Sequence, residues 1–261
     1  MMALFQRELT PAQVVKKSRE DRFVARELID GLFTDFVELH GDRLYGDDKS
    51  IIGGIARLNG TPVTVIAIDK GRDINDKITK RNGSPEPYGY RKAQRLMAQA
   101  AKFKRPIITL VNTPGAFPGK TAEAQGQGEA IAQSILKSMG LSVPMIAVIY
   151  GEGGSGGALA LATADQVWML QNATYSILSP EGFAAILWKD AKRADEAAAI
   201  MGLTPRDLLE KGVIERIIPE AHRQEKTLTT LRDQLATEIA QLQTLNPTDL
   251  LAARRARFRA F

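Results

Sequence analysis

The sequence predicts an α/β fold in which strands and helices alternate along the chain. Residues 106–111 and 143–150 form two apolar runs with the length of buried strands, and each is followed by a glycine-rich loop and a helical pattern. With 261 residues and 44% hydrophobic content, the chain can bury a large core. We expect one domain, with a helical N-terminal region over about residues 11–40, a core over about 50–219 and a helical tail over about 220–261.

Local signals predict the other elements. The pair Thr10-Pro11 marks the beginning of the first helical region, since proline is tolerated in a first helical turn. Asn59-Gly60 is the preferred two-residue connection of a hairpin. The expected elements are a helical region from residue 11 to about 39, a hairpin of residues 50–57 and 62–68, helices over 88–103, 122–139 and 158–163, strands over 166–170 and 213–217, a short helix from Thr204 to Gly212, and tail helices interrupted at Asn246-Pro247.

Each glycine-rich loop joins the end of a predicted strand to the start of a predicted helix. In such a place the first N–H groups of the helix have no partner, and they can bind an oxyanion or a phosphate with help from the helix dipole. Residues 112–119 form one such loop and residues 151–157 the other. Glycines that only make tight turns would explain either loop taken alone. The second loop leaves its backbone bare at four positions, Gly153, Gly154, Gly156 and Gly157.

Composition excludes several kinds of chemistry. The chain has no cysteine, so disulfides, thiolate nucleophiles and thiolate metal sites are excluded. Its two histidines, His40 and His222, leave little for an imidazole-bound metal, and we expect none. No apolar run approaches the roughly 20 residues of a membrane span, and the first ten residues lack the apolar region of a signal peptide. We therefore expect a cytoplasmic protein without a membrane segment.

The net charge of +5 is unevenly distributed. Lysine and arginine are concentrated over residues 70–105, which fits an anionic cofactor, an acidic protein partner or a nucleic acid. No aromatic platform for base stacking accompanies them, so nucleic acid is disfavoured. For a second arginine cluster over residues 254–259, we expect a solvated helix face or a partner contact.

Three chemistries compete for the two loops. A phosphate-binding P-loop is suggested by Gly119-Lys120-Thr121, but only three residues separate Gly115 from Gly119 where the motif has four, and Pro118 lacks an N–H. A second interpretation is catalysis by the backbone amides themselves, because preorganised donors stabilise an oxyanion by about 3 kcal/mol each. That chemistry needs no cysteine, histidine or metal.

A serine hydrolase is the third interpretation. Ser155 occupies the centre of a nucleophile-elbow pattern, and an acid such as Asp190 or Asp195 and then His222 follow it in the order of that fold. The histidine is the weak point, since His222 lies in a polar stretch where an exposed side chain is expected, and His40 precedes the predicted core.

Several runs, spread in order from about residue 39 to 219, resemble the α subunits of bacterial acetyl-coenzyme A carboxylase carboxyltransferases. They cover residues 40–43, 52–57, 70–72, 89–97, 111–119, 123–132, 151–160, 179–182 and 186–188. The resemblance implies a crotonase-like β-β-α spiral superfold with two roughly perpendicular sheets and paired amides as oxyanion holes. It also implies transfer of a carboxyl group from carboxybiotin to acetyl-CoA, which yields malonyl-CoA for fatty acid biosynthesis.

The same resemblance implies partners and site residues. The expected partners are a β subunit, commonly in an α2β2 assembly, a biotin carboxyl carrier protein and a biotin carboxylase, with zinc in the β subunit and no metal in this chain. A scaffold subunit that only docks these partners is the alternative. The expected oxyanion hole consists of the amides of Gly115, Ala116, Gly156 and Gly157, with Ala116 favoured because Pro114 has no N–H. Substrate contacts are expected from Lys70, Arg72, Arg81, Arg91, Gly153, Gly154 and Ser155.

Overall fold

A computed structural model describes residues 9–20 and 22–261. Within these residues the strands are β1 (Thr34–Glu38), β2 (Ile51–Leu58), β3 (Thr61–Ile68), β4 (Ile107–Thr113), β5 (Met145–Gly154), β6 (Gln166–Leu170), β7 (Thr174–Ser176) and β8 (Arg216–Ile218). The helices are α1 (Pro11–Arg19), α2 (Ala25–Leu32), α3 (Ile74–Thr79), α4 (Pro87–Lys102), α5 (Lys120–Ala124), α6 (Gln127–Met139), α7 (Ser155–Ala162), α8 (Pro180–Trp188), α9 (Ala194–Met201), α10 (Pro205–Glu210), α11 (Gln224–Leu242) and α12 (Pro247–Phe258).

The described strands join into one mixed sheet in the order β1-β2-β3-β4-β5-β6-β8. β1, β2 and β3 are antiparallel neighbours, and the remaining pairs are parallel. Instead of the two separate sheets implied by the resemblance, one hydrogen-bonded network contains every described strand. The reason is the length of β5, whose first part pairs with β6 while Glu152–Gly154, at its end, pairs with β7.

The centre of the sheet lies in the core. Every residue of β4 is buried, and so are the first seven residues of β5. Both strands are flanked by parallel neighbours, and helices cover them, which explains why they read as continuous apolar runs rather than alternating ones. Their carboxyl ends lie side by side, because Thr113 pairs with Gly153.

The N-terminal region differs from the sequence prediction. The helical pattern does not continue to residue 39, since α2 ends at Leu32 and residues 34–38 form the edge strand β1. The partner strand makes this possible, because a Cβ at Gly54 would lie 2.1 Å from the carbonyl oxygen of Val37. Only a glycine lets the two backbones approach this closely.

Several other predictions are confirmed. Asn59 and Gly60 both adopt left-handed φ angles, as the two-residue hairpin turn requires. The short helix predicted from Thr204 begins there, with Thr204 in a capping box, and the predicted interruption at Asn246-Pro247 separates α11 from α12, which Asn246 caps. Two predictions need adjustment, since the expected helix over 122–139 is divided into α5 and α6, and the expected strand over 213–217 is shorter and shifted, at Arg216–Ile218. No helix in the described part of the chain is both long and apolar enough to cross a membrane.

The C-terminal arginine cluster is only partly solvent-exposed, which corrects the expectation of a solvated face. Arg254 is 1% exposed and forms two 2.7 Å hydrogen bonds with Asp165. Its remaining N–H groups donate to the carbonyl oxygens of Ser138, Leu141 and Val143 at 2.6–3.0 Å. Arg254 therefore anchors α12 to the core through a fully hydrogen-bonded buried ion pair.

Candidate amide site at the ends of two strands

The two glycine-rich loops are in direct contact. β4 ends at Thr113 and β5 ends at Gly154, and α7 begins at the next residue, Ser155. A Cβ at Gly154 would lie 2.2 Å from the carbonyl oxygen of Pro114, and a Cβ at Gly157 would lie 2.4 Å from the backbone nitrogen of Ala116. No side chain fits between the loops at either position, so glycine is required at both by the close approach of backbone to backbone.

The start of α7 presents unpaired amides. The N–H groups of a first helical turn have no acceptor within the helix. Among the described residues, no hydrogen bond links the N–H of Gly156 or Gly157 to any other group. Gly157 is buried and Gly156 half-buried, so these donors lie where water is partly excluded. The positive end of the α7 dipole favours negative charge at the same place.

The loop after β4 contributes one more amide. The N–H of Gly115 donates to the hydroxyl of Thr113 at 3.0 Å, and is therefore engaged within the loop. The N–H of Phe117 donates to the carbonyl of Pro85 at 3.0 Å. Between them, the N–H of Ala116 has no acceptor within the described part of the chain. Ala116 and the start of α7 thus offer free donors on the two sides of the contact between the loops.

A charged cleft of about 340 Å³ lies beside these amides and is lined in part by Gly153 and Gly154. Within it, Lys70 forms an ion pair with Glu152, which also binds Arg19 at 2.8 Å. Burial lowers the pKa of Lys70, and the charge of Glu152 opposes this shift. Four charged side chains line the cleft, and their charges sum to zero: Arg19, Lys70, Glu152 and Glu181.

Glu181 closes this ion-pair network at the start of α8. Both of its oxygens accept hydrogen bonds from Arg19, at 2.7 and 3.1 Å. These bonds lower the pKa of the Glu181 carboxyl from 4.5 to about 2. The network therefore joins α1 and α8 to the end of β5.

The other basic residues predicted to contact substrate also have partners inside the chain. Arg72 pairs with Glu27. Arg81 lies 2.9 Å from a carboxylate oxygen of Glu86, and Arg91 lies 3.1 Å from Asp42. Arg81 additionally stacks on the ring of Phe117, 5.3 Å from its centroid, so it borders the loop that carries Ala116.

Comparison with known proteins decides the family. The sequence model of the family described as acetyl co-enzyme A carboxylase carboxyltransferase-like matches residues 2–261. The chain belongs to this carboxyltransferase family. It is 51% identical to the acetyl-coenzyme A carboxylase carboxyl transferase subunit alpha of Streptococcus thermophilus, over 96% of this chain and 98% of that protein. It is 53% identical to the corresponding protein of Streptococcus equi subsp. zooepidemicus, with the same coverage.

Solved structures confirm the crotonase-like α/β fold of this family member. The transcarboxylase 12S structure superposes with a TM-score of 0.73 at 20% identity, over 90% of this chain and 44% of that one. The β subunit of geranyl-CoA carboxylase from P. aeruginosa gives a TM-score of 0.66 at 15% identity, over 95% of this chain and 46% of that one. The carboxyltransferase chain therefore spans less than half of these larger polypeptides, and the likeness concerns the fold.

The carboxyltransferase chain also has an apolar pocket that sequence reasoning missed. It measures about 560 Å³, reaches Ser155 and Gly156, and has mostly apolar walls. Burial raises the pKa of the Tyr175 hydroxyl, one of its lining groups, to about 12. The wall residues come from α7, β7, α8, α9, α10 and the loops between them, so no local run of sequence marks the pocket. Ile177 and Ile200, which are 79% and 61% exposed, lie at its walls.

The geometry does not support a serine hydrolase or a P-loop. Ser155 has a φ of 54° at a strand-to-helix turn, as a nucleophile elbow requires, but no hydrogen bond joins it to either histidine. His40 lies 2.8 Å from Asp47, and His222 is exposed just before α11. Lys120 is likewise exposed, at the start of the five-residue α5. In residues 9–20 and 22–261, no group of three or more acidic or histidine side chains is arranged to hold a metal ion.

Proposed function

We propose that this chain acts as the α subunit of an acetyl-CoA carboxylase, and that its amides catalyse carboxyl transfer from carboxybiotin to acetyl-CoA, giving malonyl-CoA. The observation that carries the proposal is the pair of touching loops with free amides at Ala116, Gly156 and Gly157. The relatives at 51–53% identity are named as α subunits of this enzyme, which supports the same reaction here.

The residues of the chain have defined tasks in this reaction. Carboxybiotin, when bound, supplies the carboxyl group. The amides of Ala116 and of the first turn of α7 donate hydrogen bonds to the oxygen on which negative charge develops. Because these donors are fixed in place before the reaction, each stabilises the charged state by about 3 kcal/mol. The N–H of Gly115 is engaged with Thr113, so the contribution of Gly115 is its backbone conformation, with a φ of 139°.

Substrate contacts follow from the cleft. Lys70, Gly153 and Gly154 line the cleft, which supports contact between them and a bound group, while Ser155 adjoins the apolar pocket. For Arg72, Arg81 and Arg91, contact with the anionic parts of a substrate remains a prediction, because each already binds a carboxylate. The cleft is close to electrically neutral, which suits a polar group without net charge.

The proposal includes partners that complete the site. A β subunit carrying zinc, in an α2β2 complex, would hold the thioester, while a carrier protein delivers biotin and a biotin carboxylase recharges it. The exposed apolar side chains at the 560 Å³ pocket are consistent with a surface that a partner covers. We place this reaction, and fatty acid biosynthesis, in the cytoplasm.

The test is decarboxylation of malonyl-CoA in the presence of free biotin, which runs the transfer in reverse. The chain is assayed alone, with a β subunit, and as the Gly157→Val variant in a complex of confirmed composition. Activity that appears only on mixing and is lost in the variant supports a shared amide site. Full activity of the Gly157→Val complex would favour a scaffold, and ester hydrolysis by the chain alone that Ser155→Ala abolishes would favour the hydrolase.

A further inference from the structure

Thr113 holds the loop that carries Ala116. It is the last residue of β4 and is 0% exposed. Its hydroxyl accepts a hydrogen bond from the N–H of Gly115 at 3.0 Å and donates one to the carbonyl oxygen of Gly115 at 2.9 Å. Both polar groups of Gly115 are therefore held by one side chain.

The second of these bonds controls a neighbouring amide. The carbonyl of Gly115 and the N–H of Ala116 belong to one planar trans peptide, in which they point in opposite directions. A hydrogen bond that fixes the direction of the carbonyl therefore fixes the direction of the N–H. The same peptide adjoins Gly157, where an added Cβ would lie 2.8 Å from the Gly115 carbonyl carbon and 2.4 Å from the Ala116 nitrogen.

The loop needs this restraint because glycine supplies none. Gly115 has a φ of 139°, a conformation that glycine adopts readily and other residues rarely do. Without a side chain, its orientation depends on hydrogen bonds, and both that it makes among the described residues go to Thr113. Loss of the hydroxyl would remove both hydrogen bonds that orient the peptide between Gly115 and Ala116.

We propose that Thr113 is a positioning residue, whose hydroxyl aims the Ala116 N–H at the developing oxyanion without touching substrate itself. The inference rests on the proposed function, since it assigns the orientation of a donor in the same amide site. A misplacement of about 1 Å costs about 100-fold in rate, so removal of the hydroxyl should lower kcat by about 10- to 100-fold. KM should change little, because the interaction strengthens as negative charge develops.

The experiment compares Thr113→Val with Thr113→Ser in the complex with a β subunit. Valine has the shape of threonine but no hydroxyl, whereas serine keeps the hydroxyl and loses the methyl group. We expect the valine variant to lose kcat by about 10- to 100-fold and the serine variant to stay within about threefold of the wild type. Composition of the complex and its thermal midpoint are measured for both, and Thr113→Ala takes the place of the valine variant if that protein does not assemble.

The outcomes separate the inference from the function on which it rests. An active wild-type complex with unchanged kcat in the valine variant overturns the role of Thr113 alone. An equal loss in the serine and valine variants also overturns it, because a hydroxyl that is present should act. An inactive wild-type complex overturns the proposed function, and the inference with it.

Discussion

Gly157→Ala should disable the amide site while leaving every backbone N–H in place. The new Cβ would lie 2.4 Å from the Ala116 nitrogen, 2.8 Å from the Gly115 carbonyl carbon and 2.9 Å from the hydroxyl of Tyr90. Ordinary contact begins near 3.4 Å, so the two loops must separate by about 1 Å. A displacement of this size costs about 100-fold in kcat, which corresponds to about 2.7 kcal/mol of transition-state stabilisation.

Gly156→Ala is the matched control. It makes the same chemical change one residue earlier in the same helical turn, but its Cβ would meet only Ile131, at 3.5 Å. That is an ordinary contact, so we expect kcat within about threefold of the wild type. Thermal unfolding is measured for both variants. Overpacking at Gly157 costs about 1–3 kcal/mol and alanine recovers about 1 kcal/mol of helix propensity, so the two effects on the free energy of unfolding partly cancel. A large fall in kcat with a small change in stability therefore indicates a displaced loop.

The assay is malonyl-CoA formation by complexes of equal composition. A Gly157→Ala complex that kept more than a third of the wild-type kcat would contradict this prediction, since the loops could then accommodate a side chain without loss of alignment. An equal loss in the Gly156→Ala control would also refute it. In that case the effect would come from the helix start as a whole and not from the contact between the loops.

Three further predictions concern stability and the surroundings of the site. Arg254→Met should lower the free energy of unfolding by about 3–5 kcal/mol, because it leaves the buried carboxylate of Asp165 without its ion-pair partner. Denaturant titration measures the change, and the control Arg255→Met, at an exposed residue, should stay within about 0.5 kcal/mol of the wild type. The Glu181 carboxylate is stabilised by Arg19 in the folded state, so its contribution is present above its ordinary pKa of 4.5 and is lost as the pH falls toward 2. The difference in thermal midpoint between the wild type and Glu181→Gln should therefore shrink as the pH falls from 4.5 toward 2. At pH 7 the variant should lose less than about 1 kcal/mol in free energy of unfolding, because the side chain is partly exposed. Tyr90→Phe removes a buried hydroxyl that donates a hydrogen bond to the carbonyl of Gly157 at 3.3 Å. The free energy of unfolding, measured by thermal melting, should therefore fall by about 1 kcal/mol, and kcat should fall less than in Gly157→Ala.

Elements with local signals could be predicted from the sequence. The turn at Asn59-Gly60, the beginning of a helix at Thr204 and the interruption at Asn246-Pro247 depend on the conformational preferences of residues at those positions. Strand β1 could not be predicted in this way, because it forms through an approach to Gly54 that only the folded chain creates. Its own residues gave no stronger signal than the helical pattern before them.

The site was predictable in part for the same reason. The pattern of two strands, each followed by a glycine-rich loop, predicted backbone amides that are free to bind an oxyanion. In the structure, Ala116 of the first loop lies against Gly157 at the start of α7. The partners of the charged residues were not predictable, since Glu152 meets Lys70 across 82 positions of sequence and Arg254 meets Asp165 across 89. A sequence shows that a charge exists, but its burial and its partner depend on tertiary packing.

The most direct measurement replaces one amide by an ester. Lactic acid in place of Ala116 removes its N–H and leaves the side chain and the shape of the loop intact, and carboxyl transfer to acetyl-CoA is then measured in the complex. Glycolic acid in place of Gly128 is the control, because that residue also lies in the first turn of a helix but outside the site. If the Ala116 amide stabilises the oxyanion, kcat should fall by about 100-fold for the ester at 116 and change little for the ester at 128. An ester at 116 that transfers carboxyl groups at the wild-type rate would contradict this role of the amide.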